Sequence, residues 1–276
     1  MDPRPSEQVL EPRQLPVVLG LLLAPCVVLL ATRLLPSIPL GEPWAGVVAF
    51  AGAAGVSIAG LAIAAWSATA LAPALLVAGA SGLTLIALAI KPPSPPVLLP
   101  IVDAALVGLA WALGTSLGRR VQHAAHLLPA CAVAASADLV SLLSPEGPSH
   151  AIAQSERALS VLAVWFPVPG GNAVAPALGV GDLLFMGLVF GVARAHALPY
   201  ARAVGACAVG TAAAGLAAAW LGVAVPALLP IAGAVVLGLP AIRRLRRADR
   251  MAAVWSMALA GSVAAATIVR SLLASH

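Results

Sequence analysis

Apolar positions in this chain come in continuous runs rather than in alternation. Runs of roughly 18 to 24 residues with at most two charges recur along it, separated by short stretches holding Arg, Lys, Pro or Gly. A helix needs roughly 20 apolar residues to cross the hydrocarbon core of a bilayer, whereas a membrane strand reads as about ten alternating positions. The pattern predicts helices over 15–35, 44–66, 68–90, 96–117, 121–144, 174–194, 200–221, 225–242 and 251–273, about nine spans. The expected fold class is all-α, a polytopic membrane helical bundle. Two connections stand out: "KPPSPP" at 91–96 is a stiff turn, and 145–173 is the only long connection. The chain divides into a polar head (1–14), a four-helix membrane part (15–117), a membrane core (118–242) and a basic loop with the last helix (243–276).

Composition sharpens this picture. Of 276 residues, 61% are hydrophobic and 9% charged, and the mean hydropathy is +1.03, which excludes an ordinary soluble domain. Ala, Gly, Val and Leu dominate, so helix contacts are expected to rest on close backbone approach, as in "AGAAGVSIAG" and "VGTAAAGLAAAW". Cys26, Cys131 and Cys207 lie in separate apolar runs without CxxC spacing, so they read as small packing residues and not as a disulfide frame or metal knuckle. The polar head and the "RLLPSIP" that follows the first run are not expected to act as a cleavable signal peptide. Trp44, Trp66, Trp111, Trp165, Trp220 and Trp255 mostly fall near predicted span ends and read as interfacial anchors. His123 and His126, one turn apart beside Arg119 and Arg120, read as interfacial rather than metal-binding, since no third ligand is near.

The isoelectric point near 10.1 comes largely from one cluster, "RRLRRADR" at 243–250, directly after an apolar run. That position marks a cytoplasmic anchor in contact with anionic lipid, not a nucleic-acid surface. With the amino terminus in the cytoplasm, eleven basic residues (Arg4, Arg13, Arg119, Arg120, Arg194, Arg202, Arg243, Arg244, Arg246, Arg247 and Arg250) lie inside and four (Arg33, Lys91, Arg157 and Arg270) outside. This orientation places the 145–173 connection on the outer side.

Three acids fall within predicted spans. A carboxylate at the centre of a membrane helix costs about 3 kcal/mol on insertion scales, so such residues face the protein interior and mark a site or pathway. Asp103 lies within two turns of the start of its span, where headgroups or water are expected within reach, and reads mainly as structural. Asp138, in "ASADLVSLLSPEGP", and Asp182, in "GVGDLLFMGLVFG", lie near the outer ends of two consecutive antiparallel helices. At similar depth they face each other, and two close carboxylates in a low dielectric tend to share one proton. That state suits aspartyl proteolysis, in which one carboxylate takes a proton from attacking water while the other polarises the peptide carbonyl and protonates the leaving nitrogen. Gly179 and Gly181 remove side chains where a substrate backbone would approach Asp182.

The residues around these acids resemble the presenilin and signal peptide peptidase family of intramembrane aspartyl proteases, and most of all a prokaryotic presenilin-like member. "GVGD" at 179–182 looks like the family's GxGD motif. "DLVSLLSPEGP" from Asp138 to Pro148, extended by "AQSER" at 153–157, resembles the presenilin branch, and Pro226, Ala227 and Leu228 match its PAL motif. Two other PAL triplets, at 73–75 and 176–178, lack the expected position. The resemblance covers roughly 121–240. It implies a presenilin-like fold, Asp138 and Asp182 as the catalytic pair, and Gly179, Val180, Gly181, Pro226, Ala227 and Leu228 as substrate-binding residues. It also implies transmembrane segments of other proteins as substrates, a prokaryotic cytoplasmic membrane as the location, and no metal or organic cofactor. Ala137 stands where the family usually has Tyr, so a partner of the site is missing or supplied elsewhere. Four spans precede the Asp138 helix where the family has five, and the charge pattern then turns the site outward as in the signal peptide peptidase branch. Three rivals bear on the acids: a prepilin-type peptidase, disfavoured by Leu183 and Leu184 where a lysine-containing polar run is usual; a proton-coupled transporter, without a convincing inverted repeat; and a catalytically silent scaffold.

Overall fold

The computed structural model describes residues 44–67, 71–90, 99–144, 146–168, 174–222 and 225–274. The expected head at 1–14, the first predicted span at 15–35, Cys26 and the "KPPSPP" turn lie outside the described residues. Helices dominate: α1 (Trp44–Ser67), α2 (Leu71–Ile90), α3 (Leu99–Arg120), α4 (Leu127–Leu143), α5 (Pro148–Gln154), α6 (Glu156–Leu162), α7 (Val180–Ala195), α8 (Tyr200–Leu221), α9 (Leu228–Gly238) and α10 (Arg247–Ala274). A two-stranded antiparallel sheet, β1 (Ala163–Pro167) with β2 (Val174–Gly179), precedes α7. Among the described residues, five helical stretches are long and apolar enough to cross a membrane: α1, α3, Ala124–Leu143, α8 and Arg247–Ser271; Ala74–Ile90 and Leu228–Gly238 are shorter apolar helices. The outer surface is apolar too, with Leu76, Leu83 and Trp220 at least 70% exposed. Such a surface needs lipid rather than water around it.

One predicted element changes type. Residues 174–179, expected as the first turns of a span, form β2, and the helix begins only at Val180. Pro176 disfavours regular helix, and Gly179 is extended (φ −78°, ψ 157°) as the N-cap, so the chain turns helical just before Asp182.

The centre of the bundle is α7, which packs against α1, α3 and α8 and more sparingly against α4. Glycines set its contact with α3. A β-carbon on Gly114 would lie 2.6 Å from the Leu184 carbonyl oxygen, and one on Gly187 would lie 2.5 Å from the Ala110 carbonyl oxygen. Gly118 and Gly191 meet the facing backbone in the same way. These two small-xxx-small pairs bring the helices into backbone contact, the device by which membrane helices gain van der Waals packing without a hydrophobic driving force. The stretches singled out by composition contribute differently: Gly210 admits the α9 backbone at Pro230 and Ile231, whereas Gly52 makes room for the Phe166 ring. A π-helical turn at Ala110–Gly114 interrupts α3 where it meets α7.

The ends of the bundle differ chemically. His196 Nε2 meets the Val121 carbonyl oxygen at 2.8 Å, which sets the carboxyl ends of α3 and α7 side by side. Arg246 Nη1 donates to His123 Nε2 at 2.8 Å, and His126 Nε2 lies 3.5 Å from Asp249. The Arg194 guanidinium sits 4.4 Å over the Trp66 ring, and the Tyr200 hydroxyl donates to the Ala62 carbonyl. Nine arginines (119, 120, 194, 202, 243, 244, 246, 247 and 250) belong to this end. At the opposite end Arg157 donates to the Ala89 carbonyl oxygen at 2.7 Å and to that of Ile90 at 3.2 Å, covering the last carbonyls of α2. Not every tryptophan is an end anchor: Trp44, Trp66, Trp220 and Trp255 are exposed, but Trp111 is buried inside the bundle and Trp165 belongs to β1.

Candidate active site

Three stretches distant in sequence meet at the end opposite the arginines. α4 starts at the arginine end and carries Asp138 toward its far end, five residues before Leu143. α7 runs the other way and carries Asp182 in its first turn. α9 begins beside Asp138.

Each carboxylate holds one backbone amide. Asp138 Oδ2 accepts from the Leu228 N–H at 3.0 Å. That amide belongs to the first residue of α9, one of the four N-terminal donors that a helix cannot satisfy internally. Asp182 Oδ2 accepts from the Gly179 N–H at 3.1 Å, an acid at the third helical position reaching back to the N-cap. Both acids therefore face the positive end of a helix dipole. The two carboxyl groups lie within electrostatic range of each other, and both side chains are only partly covered.

The remaining predicted site residues divide. Gly179 supplies an amide to Asp182, and a β-carbon there would come 3.5 Å from its Oδ2. Gly181 is exposed, with open space where a side chain would stand, and Val180 is partly covered in the first turn of α7. Leu228 touches Asp138 through its backbone, with Pro226 and Ala227 leading into α9. The PAL triplet at 176–178 lies in β2. Ala137 is exposed, and the chain's one tyrosine, Tyr200, sits at the arginine end, so it does not replace the family's tyrosine.

The turn after Asp138 is tied down by its own residues. Ser141 Oγ accepts from the Ser149 N–H at 2.8 Å and donates to Ser149 Oγ at 2.7 Å, and the Gly147 N–H donates to the Ser144 carbonyl at 2.8 Å. Gly147 cannot carry a side chain, because its β-carbon would fall 2.0 Å from the Ser141 carbonyl oxygen. The glycine of "SPEGP" thus folds the chain back against the helix of Asp138.

Asp103 overturns its expected placement. It is fully buried against β1 instead of reaching headgroups or water. Its Oδ1 accepts from the Trp165 N–H at 2.9 Å, while Oδ2 meets no donor among the described residues. Cys131 is buried in the packing of α4. Among the described residues, no three His, Cys, Asp or Glu side chains are grouped to hold a metal ion.

No protein-family profile, curated protein or solved structure matches the chain.

Proposed function

We propose that the protein is an intramembrane aspartyl protease of the presenilin-like GxGD type that hydrolyses peptide bonds within transmembrane segments of other membrane proteins. The observation that carries this reading is the meeting of Asp138 and Asp182 at one end of a membrane-embedded bundle, each held by a backbone amide from a motif stretch. In this reading the chain has about nine spans and lies in a prokaryotic cytoplasmic membrane. The arginine end faces the cytoplasm, and the dyad opens outward.

Water held between the carboxyl groups loses a proton to one aspartate as its oxygen bonds to the peptide carbonyl carbon. The other acid polarises the carbonyl oxygen with its proton, and as the tetrahedral adduct collapses and the C–N bond breaks it delivers that proton to the nitrogen, leaving the dyad's single proton on the first aspartate. The amides of Leu228 and Gly179 keep both carboxyl groups in place throughout. A helical substrate must unwind first, because its carbonyls are hydrogen-bonded and shielded. The freed strand needs new backbone partners, and among the described residues β2 is paired on one edge only, by β1. Substrate pairs with the other edge of β2 and with the chain around Pro226, and Gly181 leaves room for its backbone.

The test uses purified protein in liposomes with a single-span peptide and a peptide inhibitor bearing a hydroxyl at the scissile position. Two fragments whose new termini map inside the span, and whose formation the inhibitor blocks, are expected. Intact peptide across several substrate sequences, with proton flux through the liposomes instead, would replace the protease by a transporter.

A further inference from the structure

We propose that Asp103 is a positioning residue for the dyad: it grips β1 through the Trp165 amide and thereby fixes the hairpin whose second strand ends at Gly179, the residue whose amide holds Asp182. The inference rests on the protease reading for its kinetic consequence, but the contact itself is structural.

The path is short. Asp103 Oδ1 holds the Trp165 N–H at 2.9 Å, and the Trp165 indole N–H donates to the Leu159 carbonyl at 3.1 Å, so this residue is pinned through both its backbone and its side chain. Two positions earlier, Ala163 pairs with Gly179, whose amide holds Asp182. The register breaks between Val164 and Trp165, where Val164 pairs with Leu178 and Trp165 with Pro176. Ala177 is left over, and Pro176 offers no N–H. At a bulge the strand ladder is locally disrupted, so an outside acceptor is needed to fix β1 there. Asp103 supplies it from α3, whose other half is locked to α7 through glycines. The same two helices thus hold the hairpin from one side and carry Asp182 from the other.

The acid is a costly choice for packing alone. Its second oxygen is buried without a donor among the described residues, and a buried polar group left unpaired is unfavourable where an apolar group of similar shape is not. Local violations of this kind are expected where function is served.

Asp103→Leu removes the acceptor while filling the space, and Asp103→Asn keeps an acceptor oxygen at the same place. Both are compared with wild type in liposomes for cleavage rate, for cleavage position along the substrate span, and for hydrogen exchange at the Trp165 amide. Asp103→Leu leaves the Trp165 N–H without its acceptor and is expected to remain folded with a modestly lowered thermal unfolding temperature, to lose about 100-fold in kcat, as small displacements of reacting groups do, to spread its cleavage over neighbouring bonds, and to exchange the Trp165 amide about tenfold faster. Asp103→Asn is expected to restore most of each. Wild-type kinetics or unchanged Trp165 exchange in Asp103→Leu would overturn the assignment, as would an Asn variant as impaired as Leu. A wild-type protein that cleaves nothing would contradict the protease reading instead, and the exchange comparison would still decide whether Asp103 holds the hairpin.

Discussion

Asp138 and Asp182 use one oxygen each to hold a main-chain amide, and Gly181 stands beside them with nothing where its side chain would be. Packing does not require glycine at 181, so under the protease reading a side chain added there beside the dyad would meet the incoming substrate and not the protein. Gly181→Leu is expected to leave thermal unfolding unchanged and to slow cleavage about tenfold or more through a raised KM, a loss of substrate binding rather than of chemistry. Steady-state kinetics beside a melting curve check this, and a lowered melting temperature would point to packing instead. At this scale much was legible. The order of Asp138, the GxGD stretch and the PAL triplet at 226–228 picked out residues that the fold brings together. Asp103 was not legible, because its partner is a backbone amide 62 residues away and its burial depends on a hairpin folding over it.

Elements in this bundle are spaced by glycine. Gly114 and Gly118 on α3 face Gly187 and Gly191 on α7 at distances no β-carbon tolerates, whereas Gly205 on α8 has open space. Gly114→Val forces the two backbones apart and is expected to destabilise by about 2–4 kcal/mol and to abolish cleavage, since α7 carries Asp182. Gly205→Ala removes backbone freedom in a helix interior without a clash and is expected to be neutral or to stabilise by up to about 1 kcal/mol. Thermal unfolding in detergent separates the two, and equal effects would contradict the packing account. Helical runs were readable because continuous apolarity over a span has few other meanings. The strand at 174–179 was missed because its apolar residues continue into α7 without a break in hydropathy. A cue did exist: two short apolar runs flank Pro169, Gly170 and Gly171, the pattern of a hairpin.

Across the whole molecule the described residues form one arginine-rich end and one end with the paired acids, and this polarity carries the proposed orientation. In a background with Cys26, Cys131 and Cys207 changed to Ser, Glu146→Cys is expected to react with a membrane-impermeant thiol reagent in intact cells, and Arg247→Cys only after permeabilisation. The reverse pattern would place the dyad on the cytoplasmic side. The charge asymmetry could be counted from sequence, but its gathering through His196 with Val121 and Arg246 with His123 could not, because those contacts join helices far apart in the chain. The central claim is that Asp138 and Asp182 act together on a peptide bond. Its most direct test compares wild type with Asp138→Asn and Asp182→Asn, each shown to be folded, for hydrolysis of a single-span peptide in liposomes. The account predicts a loss of about 1,000-fold or more in each variant and no further loss when the two are combined, as for groups that act as a unit. Hydrolysis that survives either substitution would contradict it.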